Sequence, residues 1–302
     1  MLDRLAGNQA LKDTLKAALS AGRLSHSVLL CGDEGTGTGF SARCLAADYL
    51  YPQGGPAAEN VLAGRAPECI VLQGEGAAGQ IKVERVREVR EEVFHSALSA
   101  EGRVVLLYGA QNLNAASANA LLKVLEEPPA GVLFLLTASS PAAVLPTIRS
   151  RCAGYTLAPL PWEDCADWLR KHHPPCPEAE LLSHVYAGHL GLCIAAVADP
   201  ARAETLRTAR ALAKLVGERD EYGILTLLAR FDKDRPGARS LLTEFSRLCA
   251  AALRRPELAG LSAKAAGRCI YRVQAAQKAL AGNVYPKVVL TTLGIKLAKA
   301  GK

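Results

Sequence analysis

The chain has 302 residues, 50% of them hydrophobic and 22% charged, enough to bury more than one core and unlike a disordered polyelectrolyte. No apolar run reaches the roughly 18 to 20 residues that span a bilayer, and the opening MLDRLAGNQALK has no apolar secretory core, so a cytoplasmic location without membrane contact is expected. The net charge of +7 is concentrated in residues 201–302, which hold 20 Lys and Arg against 8 Asp and Glu, a net of +12 that leaves −5 for residues 1–200.

Such a basic stretch suits nucleic acid or an acidic partner, or simply the solvated faces of helices; no aromatic residues interleave the charges as a base-stacking surface requires. Nine cysteines, at positions 31, 44, 69, 152, 165, 176, 193, 249 and 269, form no CxxC pair. Neither a disulfide framework nor a zinc site is expected, and buried thiols acting as small hydrophobes are.

Residues 1–158 alternate short apolar runs with helical patterns, the signature of βαβ units around a parallel sheet. A strand at 27–30 (SVLL) runs into a glycine-rich turn and then a helix. Residues 51–67, with three prolines and three glycines, read as a surface loop or short irregular insertion. A strand at 69–72 precedes a helix over 83–96 whose Val83, Val86, Val89, Val93 and Phe94 fall on one face. Strands follow at 104–108 (VVLLY) and 132–137 (VLFLLT), separated by a helix that Asn114 caps and that stops at the double proline 128–129. A last strand at 154–157 completes a doubly wound sheet.

After Pro159 the strand signals stop. A small helical unit over 162–197 leads, with Pro200 as linker, into helical stretches at 203–216, 222–231, 238–253, 263–281 and 288–298, a five-helix bundle.

Strand, glycine turn and helix are the setting of a phosphate-binding loop. In the working pattern G-x-x-x-x-G-K-[ST], backbone N–H groups cradle the phosphates, the lysine reaches the β and γ oxygens, and the hydroxyl holds Mg²⁺. Here Gly32, Gly35 and Gly37 supply the turn, but Thr38 stands at the lysine position and Gly39 at the hydroxyl position. Asp33 and Glu34 place two carboxylates beside a helix N-terminus that would otherwise attract an anion. The strand at 104–108 should end in acidic residues if the chain hydrolysed a nucleotide, yet Gly109, Ala110, Gln111 and Asn112 follow it. The loop therefore reads as a tight turn kept for packing, with no bound cofactor. Glu126 and Glu127 are adjacent on a helix and diverge by about 100°, so they read as solvated charge rather than a paired-carboxylate site.

The segment FLLTASSPAAVLPTIRSRC runs from a buried strand through a short helix to Ser150, Arg151 and Cys152. With LAGNQ at 5–9, LSHSVLLCG at 24–32, NALLKVLEEPP at 119–129 and Thr137 at the sensor-one position, it resembles the clamp-loader branch of the AAA+ proteins. The likeness continues weakly in GNVYPKVVLTTL at 282–293, where Tyr285 replaces an expected asparagine. It implies that the Ser-Arg-Cys triplet offers Arg151 as an arginine finger to the ATP of a neighbouring subunit, whereas an isolated arginine would simply form a surface ion pair. Bacterial members often carry a zinc-binding cysteine cluster after the loop helix; residues 51–68 contain none, so no metal is expected. The segment GHLGL at 188–192 lacks the second-sensor arginine of an ATP-binding member.

The resemblance implies an AAA+ parallel-sheet domain with a degenerate phosphate loop (1–158), a small helical lid (159–200) and an all-α collar that oligomerises (201–302). It implies a non-hydrolysing subunit of the bacterial DNA polymerase III clamp loader, partnered by gamma/tau-type ATPase subunits and a delta-type subunit, which helps load the sliding clamp on primed DNA. Direct contact with clamp or primer-template DNA stays open. Two other readings remain: an AAA+ ATPase with an atypical loop, and a scaffold or DNA-binding adapter in which Arg151 has no catalytic role.

Overall fold

The computed structural model describes residues 1–76, 79–95, 102–282 and 284–300. They form two compact units, Met1–Leu160 with His189–Gly191, and Pro161–Gly188 with Leu192–Lys302.

The first unit is built on five parallel strands, β1 (Ser27–Cys31), β2 (Cys69–Gln73), β3 (Arg103–Tyr108), β4 (Val132–Ala138) and β5 (Ala153–Thr156), in the order β2-β3-β4-β1-β5. All residues of β1 and β4 are buried, as strands covered on both faces must be, which is why they read as continuous apolar runs. Alternate side chains go to opposite layers. Val28, Leu30, Val104, Leu106, Leu133 and Leu135 face one core with α1 (Gln9–Ser20), α2 (Thr38–Leu50) and α3 (Pro56–Leu62). Leu29, Cys31, Val105, Leu107, Phe134 and Leu136 face the other with α4 (Val83–His95), α5 (Ala115–Glu126) and α6 (Pro146–Arg149). Each such large side chain contributes on the order of 1.5–3 kcal/mol by leaving water.

Register fixes the site. Leu30 pairs with Thr137 and Cys31 with Ala138, so the carboxyl ends of β1 and β4 finish level where α2 begins. Asn114 caps α5 as expected, its Oδ1 accepting the Ser117 N–H at 2.8 Å.

Two expectations for this unit fail. Residues 51–67 are not all loop: Pro56 starts α3 at the position where a missing N–H costs nothing, and Ala58 and Val61 are buried. Phe94 is 51% exposed while Val86, Val89 and Val93 are buried, because it lies one helical step beyond their stripe. The expected helix end at Ser96 lies outside the described residues.

The second unit holds α7 (Trp162–His172), α8 (Ala179–Val185), most of α9 (Leu190–Ala198), α10 (Pro200–Glu218), α11 (Glu221–Ala229), α12 (Arg235–Ala252), α13 (Ala263–Ala281) and α14 (Pro286–Ala298). Pro200 is no linker but the first residue of α10, which Asp199 caps through the Ala201 N–H. Asp220, Asp234 and Ser262 cap α11, α12 and α13. Arg254 lies over the Trp162 ring at 4.6 Å and Arg247 over Tyr186 at 5.5 Å; Arg210 pairs with Glu178 and Arg255 with Glu180. These contacts join the residues on the two sides of position 200 into one unit.

The cysteines are free. Cys165 and Cys193 nevertheless approach to 3.7 Å between sulfurs, and Cys249 shares a hydrogen bond with Cys269 in the interior of the helical unit.

Candidate functional site

The chain leaves β1 at Cys31 and turns through residues 32–37 into α2. Gly35 and Gly37 have φ of +87° and +93°, a region that residues with side chains avoid. The loop is tied internally. Gly32 N–H donates to Ala138 O at 3.0 Å, and the Thr36 amide and hydroxyl both donate to Asp33 O, at 3.1 and 2.8 Å.

A further tie comes from residues 189–191. Gly191 N–H donates to Gly35 O at 2.8 Å, and a Cβ on Gly191 would lie only 3.0 Å from that oxygen. His189 Nε2 lies 3.8 Å from Asp33 Oδ2, an ion pair whenever the imidazole is protonated. His189 and Gly191 thus hold the loop down.

Thr38 and Gly39 open α2. The Tyr108 ring occupies the space beside Gly39, its Cε1 lying 3.4 Å from where a Cβ would stand. Burial pushes the Tyr108 phenol up, opposed by the Arg43 guanidinium beside it. Thr137, 6% exposed, accepts the Gly109 N–H at 3.1 Å, so its hydroxyl ties the ends of β3 and β4 together. After Tyr108 come Gly109, Ala110, Gln111 and Asn112, and Asp33 is 79% exposed at the loop. With no ammonium, hydroxyl or strand-end carboxylate in place, these residues do not fit a magnesium–nucleotide complex. Among the described residues no three His, Cys, Asp or Glu converge as a metal site, and no helix is long and apolar enough to cross a membrane.

The Ser-Arg-Cys triplet continues α6 as a turn. Ser150, Arg151 and Cys152 N–H groups donate to Pro146, Ile148 and Arg149 carbonyls at 2.9, 3.1 and 3.3 Å, and Ser150 Oγ donates to Thr147 O at 3.1 Å. Cys152 packs against the sheet core, and burial pushes its thiol up to about 12; it is neutral near pH 7 and serves as an anchor, not a nucleophile. Between cap and anchor the Arg151 side chain is 34% exposed. Its Nη1 donates to Thr147 O at 3.0 Å and its Nη2 forms an ion pair with Glu126 Oε1. Glu126, expected as solvated charge, is 47% exposed and in addition meets Arg151 across 25 residues of chain. Tyr108 and Gly191 are the other site residues that sequence reasoning did not single out.

A parallel sheet in this order, with a glycine loop at the end of β1, between β4 and β5, defines an AAA+-like domain whose loop lacks the lysine and the hydroxyl of the working pattern. The family model described as DNA polymerase III, delta subunit matches residues 7–161, and the chain belongs to that family. It is 32% identical over 225 residues to the DNA polymerase III subunit delta' of Escherichia coli, spanning 72% of this chain and 67% of that protein. The delta' subunit of Pseudomonas aeruginosa is 36% identical over 174 residues, 54% of this chain and 52% of its own. The gamma/tau subunit of Mycobacterium tuberculosis is 36% identical over 165 residues, 52% of this chain but only 28% of that relative, so the chain spans far less than two thirds of its length. Among solved structures, a gamma subunit-related protein of Thermotoga maritima matches 95% of this chain and 99% of its own at a TM-score of 0.61 and 15% identity. A RuvB mutant of Thermotoga maritima matches 96% and 90% at 0.51 and 15% identity. Both structural likenesses concern the fold alone.

Proposed function

We propose that this chain is the delta' subunit of a bacterial DNA polymerase III clamp loader, acting on a neighbour's nucleotide rather than on its own. The observation that carries the reading is the contrast between two ends of one sheet domain. Its glycine loop is fully formed ahead of Thr38 and Gly39, which carry neither the lysine nor the hydroxyl expected there, while the turn after α6 presents Arg151 between a capping Ser150 and a half-buried Cys152. A fixed guanidinium of this kind can neutralise charge developing on a transferring phosphoryl group in trans, an effect worth roughly 10³ to 10⁵ in rate.

In this reading the first unit is the AAA+ domain, residues 159–200 form a lid and residues 201–302 a collar that assembles with gamma/tau-type and delta-type subunits. The complex loads the sliding clamp on primed DNA in the cytoplasm. Reconstitution with the ATPase subunits and substitution Arg151→Ala tests it: DNA-stimulated hydrolysis should fall by at least tenfold. An unchanged rate would favour the second reading, a scaffold in which the ion pair to Glu126 is all that Arg151 does. Tight binding of a fluorescent ATP analogue by the isolated chain would instead support an atypical ATPase.

A further inference from the structure

Glu126 ends α5 and Arg151 follows α6, and the packing of these helices under the sheet brings their side chains together. The guanidinium is occupied by its own chain on two nitrogens. Nη1 donates to Thr147 O at 3.0 Å and lies 3.4 Å from Ser150 Oγ, while Nη2 is taken by the Glu126 carboxylate. Both side chains remain partly exposed, 34% for Arg151 and 47% for Glu126.

A guanidinium stabilises phosphoryl transfer through its net charge and its fork of N–H donors. A carboxylate on the same fork cancels the charge and uses a donor. Arg151 as found here is therefore displayed at the surface but electrostatically neutralised. The pair is also easily exchanged: exposed ion pairs are weak, whereas a triphosphate brings several negative charges and pairs of oxygens to the same fork.

We propose that Glu126 is a positioning residue that acts as a latch on the finger, holding Arg151 against its own chain until the neighbouring subunit's nucleotide displaces the carboxylate. This rests on the trans reading of Arg151 given above. The latch sets a threshold. A loosely closed ring leaves Arg151 on Glu126 and hydrolysis slow, and closure that brings the triphosphate to the fork exchanges one anion for another.

The test uses the reconstituted complex, with ATP hydrolysis followed as a function of ATP concentration with and without primed DNA. Glu126→Gln should raise the DNA-independent kcat about two- to fivefold, the size an exposed ion pair can contribute. KM for ATP, and the concentration of this chain that saturates the complex, should stay within about twofold, which a structural disturbance of the interface would not allow. Glu126→Asp, which keeps the charge, should restore the low rate, and Glu126→Gln combined with Arg151→Ala should fall to the level of Arg151→Ala alone. If Arg151→Ala itself changes nothing, the trans reading fails and the latch with it. If Arg151→Ala lowers the rate but Glu126→Gln leaves it unchanged or lowers it, the latch alone is overturned. A melting midpoint for the isolated Glu126→Gln chain close to that of the parent separates either result from misfolding.

Discussion

The amide of Gly191 donates to the carbonyl of Gly35 at 2.8 Å, so a glycine from the start of α9 is clipped onto the glycine loop. A Cβ on Gly191 would stand 3.0 Å from that oxygen and 3.1 Å from Gly35 Cα, both backbone atoms that cannot rotate aside. Gly191→Leu should therefore cost about 1–3 kcal/mol, as overpacked sites do, measured as a lower thermal midpoint. Gly191→Ala should cost less, because it adds only the Cβ and not the rest of the leucine side chain to the crowded site. A leucine variant that melts with the parent would mean that the loop gives way freely.

Restoring the two missing side chains should not restore an enzyme. The double variant Thr38→Lys, Gly39→Ser regains an ammonium and a hydroxyl, but its serine lies against the Tyr108 ring and no carboxylate follows β3. Phosphate release from ATP by the isolated variant is expected to stay at background; measurable turnover would show that the strand-end carboxylates are dispensable here.

Asn114 holds the first turn of α5 through the Ser117 amide, and it also accepts from the Ser117 hydroxyl at 3.1 Å. Asn114→Ala should lower stability by about 1 kcal/mol, while Asn114→Asp, which keeps the acceptor, should come close to the parent. Chemical denaturation of the three chains side by side distinguishes them.

Burial pushes the thiols of Cys44 and Cys152 up to about 12 and that of Cys69 up to about 11, from an ordinary value of 9.0. Raised acids favour the folded state only while the unfolded chain keeps its protons as well. Between pH 9 and 11 to 12 the unfolded thiols ionise and the folded ones do not, so stability is fully present below about pH 9 and falls as pH rises through that window. Urea midpoints collected across this range should decline, and less steeply for Cys152→Ala than for the parent once both are referred to pH 8. A flat profile would remove the burial argument.

Much of the sheet domain was legible in the sequence because its strands are buried on both faces and its turns use residues with narrow conformational roles. Runs such as SVLL and VLFLLT, the φ-demanding Gly35 and Gly37, and the capping Asn114 each carry a local physical signal. What escaped was either a proline read as a breaker or a contact between distant positions. Pro56 and Pro200 begin helices, where proline is favoured, yet in sequence they look like interruptions. Phe94 differs from the buried Val93 by one step of about 100°, which carries it off the buried stripe although both residues are apolar. The pairing of Glu126 with Arg151, the seating of Tyr108 beside Gly39 and the approach of Cys165 to Cys193 depend on how the layers meet, and no local spacing encodes them.

The seating of Tyr108 beside Gly39 also bears on what one substitution can do. A lysine at position 38 alone would have no hydroxyl beside it; a serine at position 39 alone would set its Cβ in van der Waals contact with the Tyr108 ring, with no acidic partner for a metal. Gly191 in turn is committed to a backbone clip on Gly35. No single substitution therefore completes a nucleotide site here: a lysine at 38, a hydroxyl at 39 and a carboxylate after β3 would be needed together, and the seating of Tyr108 and the clip at Gly191 make each of them answerable to its neighbours.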